Sequence, residues 1–205
     1  MLADMSVVDF LDETASNSPV PGGGSIAALS AAFSAALTQM VANLTLGKKG
    51  YEEVQEEAGF IVKESERMRG FFVEYIDKDS DAFNEVMNAF KLPKDTDEKM
   101  EYRKKAIQAA TKVAALVPLD IAKEAYKIMD IAKVVVEKGN KNAVTDGAVA
   151  TMLARTAVLS ALYNVKINLS SIRDKEFVEK VAKEVDELEK NVKLKEEEIL
   201  SKVVL

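Results

Sequence analysis

The chain contains no histidine and no cysteine. Proton transfer near neutral pH therefore falls to carboxylates, lysines, tyrosines, backbone groups or water. Disulfides and thiolate metal sites are excluded, and a metal would need an all-oxygen site. Three stretches could do chemistry within that restriction. The first is 19-PVPGGGSIAALSAAFSAALTQMVANLTLGKK-49. Gly22, Gly23 and Gly24 would let backbone amides approach a ligand at a helix N-terminus opened by Ser25, where the dipole favours an anion. The same glycines also suit a tight turn feeding a crowded helix. A phosphate loop is excluded, because no lysine follows the glycines directly and no strand precedes them.

The second stretch is 77-DKDSDAFNEVMNAFKLP-93. Its acidic opening resembles a calcium loop, but Ala82 stands where that loop needs glycine and Asn88 where it needs glutamate. Read as a helix, its apolar stripe is Phe72, Ile76, Phe83, Val86 and Phe90. Asp79 then lies on the seam, where a carboxylate is costly to desolvate. Its pKa should rise if it is unpaired and fall if a lysine reaches it; a structural salt bridge is the competing reading. Asp77 and Asp81 point elsewhere and are expected to be solvated, unless packing on two sides buries Asp81. The third stretch is 139-GNKNAVTDGAVATMLARTAVLSALYNVKINL-169. Asn140, Asn142, Asn164 and Asn168 gather here. Asn164 and Asn168 end a small-residue helix face one turn apart, where amides must find partners. Asp146 reads in isolation as a helix N-cap.

The elements that must carry these groups are all helical. Strand signals are almost absent and helical periodicity runs throughout. Helices are expected over 6–14, 25–46, 52–92, 97–139, 146–170 and from Asp174 onward. Ser6 caps the first, and Gly47 and Gly50 stop the second. Gly59 and Gly70 are candidate bends or breaks in the third. The apolar stripe of the fourth continues through Pro118, so it reads as one long helix. No linker or repeat divides the chain, so 1–205 reads as one all-α domain, a bundle of about six helices with long central ones. The Ala-rich run has the length of a membrane span but too little apolar character, and reads as a buried central helix. A net charge of −6 with scattered basic residues argues against nucleic acid. The N-terminus MLADMSVVDF lacks the pattern of a signal peptide, so cytoplasmic residence with no membrane partner is the expectation.

Taken in order, PxPGGGS with its Ala-rich helix and LTLGKKGY, then DSDAFNEVMNAFKLP, then GNKNAVTDGAVATMLARTA and NVKINL, resemble the cyclodeaminase/cyclohydrolase family over residues 5 to 180. That resemblance implies an all-helical homodimeric folate enzyme. It implies a tetrahydrofolate derivative as substrate and no bound metal or cofactor. Its functional positions would map onto the Gly22–Ser25 turn, Lys48, Asp79, Asp81, Asn140 and Asp146, with Asn164 and Asn168 nearby. Thr145 stands where many relatives have serine. The implied reaction is formiminotetrahydrofolate cyclodeamination, with methenyltetrahydrofolate cyclohydrolysis as the alternative. Both pass through one tetrahedral carbon bridging N5 and N10.

Without histidine, two carboxylates of separated pKa are the economical acid and base. The expected pair is Asp79 and Asp146, converging on that carbon, with roles unassigned. The anionic glutamate tail needs a local positive site, for which Lys48, Lys49 and the Gly22–Gly24 amides are candidates. Asn140, Asn164 and Asn168 could read the pterin edge. A non-catalytic helical dimer binding a partner or small ligand is the rival. A buried-seam carboxylate and an asparagine cluster speak against it, because a scaffold gains little from such costly groups.

Overall fold

A computed structural model of the protein describes residues 1–204. Six α-helices carry it: α1 Val7–Thr14, α2 Gly23–Asn43, α3 Gln55–Lys91, α4 Asp97–Lys138, α5 Val144–Leu169 and α6 Lys175–Leu200. Short 3-10 turns at Leu2–Asp4, Glu52–Val54 and Lys141–Ala143 join or precede them. No strand occurs among the described residues.

Local chemistry explains most boundaries. The Ser6 hydroxyl accepts from the Asp9 amide, Thr96 from the Lys99 amide and Asp174 from the Phe177 amide, each satisfying an orphan donor of a first turn. Gly47 and Gly50 have φ of 67° and 88°, the left-handed region in which glycine ends helical runs. Gly59 and Gly70 do not split α3, which runs unbroken for 37 residues.

α4 runs for 42 residues straight through Pro118. Proline has no N–H, so the carbonyl four residues back, Ala114 O, loses its helical donor. The Asn168 side-chain amide replaces it, donating to Ala114 O at 2.9 Å. One proline thus creates an acceptor on α4 that clasps α5.

α2, α3, α4 and α5 pack as antiparallel neighbours. Ser34 of α2 donates to Ala150 O of α5 at 2.7 Å, and Tyr75 of α3 reaches Asp120 of α4 at 3.3 Å. Alanines make the close approach possible: Ala27, Ala28, Ala31 and Ala35 of α2 meet a core that includes Ala154, Ala157 and Ala161 of α5, all with no exposed surface. α2 and α5 have the length and composition of membrane spans, yet about half of each is buried inside this bundle. α6 covers the outer side of α4 and α5, and Lys166 pairs with Glu189 at 2.8 Å.

Candidate active site

α2 begins at Gly23, two residues earlier than its serine suggested, and its N-cap Gly22 offers no side chain to the free amides. Asp79, projecting from the middle of α3, takes that place. It accepts from the Ser25 backbone N–H and, at 3.4 Å, from the Ser25 hydroxyl. The same hydroxyl donates to Ile76 O at 2.8 Å and lies 3.1 Å from the Ser80 hydroxyl. Ser25 itself is completely buried.

The glycines make this approach possible. A Cβ on Gly24 would lie within 2.5 Å of both Asp79 carboxyl oxygens. A Cβ on Gly23 would lie 3.0 Å from Asn164 Nδ2. The triplet is therefore a steric device that lets a helix N-terminus close on an acid and an amide. The amide that bonds the carboxylate is that of Ser25, the residue after the triplet, while Gly22 and Gly23 line the cavity beside it.

Burial drives the Asp79 carboxyl above the ordinary aspartate range, and the two Ser25 bonds only partly oppose it. A simple capping acid is normally held low by its amides and by the helix dipole. Asp79 instead keeps its proton to higher pH, as suits a group that gives and takes one.

Asp79 faces a cavity of about 330 Å³. Gly22, Gly23, Phe83, Val86, Asn164 and Asn168 are among its walls. The volume is within the range of small-molecule sites. The asparagines use their NH2 groups internally: Asn164 donates to Ser160 O at 2.9 Å, and Asn168 donates to Asn164 O as well as Ala114 O. Their side-chain carbonyls and the second Asn164 N–H are what they can offer a ligand, so the carbonyls can receive N–H donors from a heterocycle. Asp79 is the one charged residue in the cavity wall among the described residues.

Other candidates lie elsewhere. Asp81 is exposed on another face of α3. Asp77 is not simply solvated; it accepts from the Leu2 and Ala3 amides at 2.6 and 3.3 Å and ties down the N-terminal turn. Asn140 is buried in a clasp that engages both ends of its side-chain amide. Its Oδ1 receives Lys48 Nζ and the Asn142 amide, and its Nδ2 reaches Leu44 O at 3.0 Å. Its carbonyl is fully used, and the residue does not line the Asp79 cavity where it was expected to read a pterin.

Asp146 is not the cap of α5. The helix starts at Val144 behind the Lys141–Ala143 turn, and Asp146 sits half-buried in its first turn. Asp146 and Asn164 are five helical turns apart on one face of α5, which is about 27 Å along the axis. The expected convergence of Asp79 and Asp146 therefore does not occur within one chain. The protein has two clusters, Asp79 with its cavity at one end of α2 and α5, and Lys48, Asn140 and Asp146 at the other.

One buried acid was not anticipated. Glu124 of α4 has only 7% of its surface exposed and binds Arg67 and, at 2.8 Å, Lys127. Burial alone would raise its pKa, but those two cations outweigh it and hold the carboxyl below the usual range. Its polar neighbours on a long amphipathic helix masked it in the sequence.

Comparison with known proteins agrees with this architecture. The family model described as Formiminotransferase-cyclodeaminase matches residues 6–187. A methenyltetrahydrofolate cyclohydrolase of Methylorubrum extorquens is 41% identical over 92% of this chain and 90% of its own length. The formimidoyltransferase-cyclodeaminase of Rattus norvegicus is 32% identical over 91% of this chain, which spans only 35% of that longer protein. A formiminotetrahydrofolate cyclodeaminase of Thermotoga maritima superposes with a TM-score of 0.88 at 31% identity, covering 99% of this chain and 98% of that one. By this match over most of its length, the chain belongs to the formiminotransferase-cyclodeaminase family.

Proposed function

We propose that the protein is a methenyltetrahydrofolate cyclohydrolase. The observation that carries the reading is a single acid, Asp79, raised in pKa by burial and aimed into a ligand-sized cavity with two asparagine carbonyls. The 41% identity to a cyclohydrolase of nearly equal length favours this activity over the cyclodeaminase first expected. The equal-length cyclodeaminase of similar fold keeps formiminotetrahydrofolate cyclodeamination as the second reading.

One carboxylate suffices for the chemistry. Water adds to the electrophilic carbon between N5 and N10 as Asp79 takes one of its protons. The resulting tetrahedral hydroxyl compound collapses: the C–N5 bond breaks, Asp79 returns its proton to N5, and the hydroxyl proton leaves to solvent. The products are 10-formyltetrahydrofolate and one proton. In the second reading N10 attacks the carbon of the protonated formimino group, Asp79 takes the N10 proton and delivers it to the resulting –NH2, which leaves as ammonia and gives the methenyl cation. Positioned acid/base groups give about 10²–10⁴-fold, and alignment in the cavity supplies the remainder.

The test offers purified protein 5,10-methenyltetrahydrofolate and, separately, 5-formiminotetrahydrofolate. Accelerated ring opening of the first supports the proposal. Ammonia release from the second without ring opening transfers the assignment to the cyclodeaminase. Neither activity would refute both.

A further inference from the structure

The glutamate tail of a folate needs a cation, and the wall of the Asp79 cavity holds no lysine or arginine among the described residues. Lys48 and Lys49 follow the far end of α2, and Lys48 Nζ is bonded to Asn140 Oδ1. The helices of the cavity itself lead to another candidate. On α3 the face that carries Asp79 continues at Phe83, Val86 and Phe90, in steps of four, three and four residues. The first three line the cavity, and Phe90, one turn beyond them, is 49% exposed. α4 returns antiparallel beside α3. Its Ala114 is in the cavity wall, and Arg103 lies on the same face of α4 three turns nearer the connection between the two helices.

Phe90 and Arg103 meet at that end of the hairpin. The guanidinium is 5.6 Å from the Phe90 ring centroid, and its Nε and Nη2 donate to Phe90 O at 3.2 and 2.9 Å. Ring and carbonyl hold the guanidinium in place while most of its N–H groups remain free to donate. No carboxylate is within ion-pair distance of Arg103 among the described residues; Asp95 and Glu101, its neighbours in the chain, face Lys99 and Lys104.

The spacing suits a folate. Asp79 and Phe90 are eleven residues apart, about 16 Å along α3. From the carbon bridging N5 and N10 to the α-carboxylate of the glutamate, ordinary bond lengths sum to about 10 Å in an extended tail. A contact of about 3 Å at each end brings the span to about 16 Å. Phe83 and Val86 lie between the two ends, an apolar stretch for the benzoyl ring. The other basic cluster, Lys104, Lys105, Lys112 and Arg173, lines a separate open cleft that shares no residue with the Asp79 cavity, and Lys112 is paired there with Asp174 at 2.6 Å.

We infer that Arg103, steadied by Phe90, binds the carboxylate of the substrate's glutamate and makes the Asp79 cavity specific for folates with an anionic tail. Arg103 touches no reacting atom, so its part is binding. The inference deepens the folate reading and rests on it.

The experiment compares 5,10-methenyltetrahydrofolate with an analogue that has methylamine in place of glutamate and so an uncharged tail. On the folate, Arg103→Ala should raise KM by about ten- to a hundredfold, the size of a hydrogen bond to a charged group, with kcat changed by less than about twofold. On the analogue, wild type and variant should have equal kcat/KM. Arg103→Lys should recover part of the loss. Added salt should raise KM more for the wild type than for Arg103→Ala. Arg173→Ala, in the separate cleft, should behave as wild type. An unchanged KM in Arg103→Ala, an equal loss on the uncharged analogue, or the same loss in Arg173→Ala would overturn the inference and leave the folate reading standing. If the wild type opened neither ring, the cyclohydrolase reading would fail, and calorimetric titration with 5-formyltetrahydrofolate would judge Arg103 by itself. Binding weakened about tenfold or more in Arg103→Ala would support its role, and equal or absent binding would overturn it.

Discussion

Gly24→Ala isolates the contact on which the candidate site depends. Gly24 is in the first turn of α2, and its φ is not in the left-handed region. By helix propensity alone, alanine there should stabilise α2 by up to about 1 kcal/mol. Sterically, the new methyl would sit within 2.5 Å of the Asp79 carboxylate, where ordinary contact begins at 3.4 Å. The nearer oxygen, which the methyl would meet at 2.0 Å, must therefore retreat by about 1.4 Å, and a misplacement near 1 Å at a reacting group already costs roughly a hundredfold in rate. The expected result is turnover lowered about a hundredfold, with helix content retained. Gly59→Ala is the matched control, since a Cβ there meets nothing within 4 Å. It should gain about 0.5–1 kcal/mol and leave turnover unchanged. The assay is ring opening of methenyltetrahydrofolate alongside thermal unfolding. If Gly24→Ala turned over substrate within threefold of wild type, the close approach of α2 to Asp79 would have no catalytic meaning.

Asp79→Asn should lower turnover by about 10²–10⁴-fold. It should also unfold at a higher temperature near neutral pH. The raised folded pKa means the native state binds a proton more tightly than the unfolded chain, so stability falls as pH rises through that pKa; asparagine removes the loss. Ser25→Ala deletes a hydroxyl bond that lowers the Asp79 pKa, so the acid limb of the rate–pH profile should move to higher pH. Asn168→Ala leaves the Ala114 carbonyl opposite Pro118 without its donor and should cost about 1–3 kcal/mol in denaturant unfolding. Arg67→Ala should cost about 1–2 kcal/mol at neutral pH, between the values of surface and buried pairs, because Glu124 keeps Lys127. Glu124 has a lowered folded pKa, so its contribution is present above the ordinary glutamate pKa and disappears as pH falls through the folded value; the Arg67→Ala deficit should therefore shrink in acid.

The amino-acid order alone determined the helices and their faces. A repeat of three and four residues carried α4 through Pro118, and the same repeat placed Asp79 on an apolar seam, because side-chain direction follows from the backbone turn angle. It could also have told that Asp146 and Asn164 lie five turns apart on one helix. What it could not contain was which helix lies opposite each face. Asp79 caps α2 from a distance of 54 residues in the chain, and the carbonyl freed by Pro118 finds its donor 54 residues later. Periodicity reports the direction in which a group points; only packing decides what it meets there. For the same reason the glycine triplet stayed ambiguous between turn and ligand site until the folded chain placed an acid where a Cβ would have been.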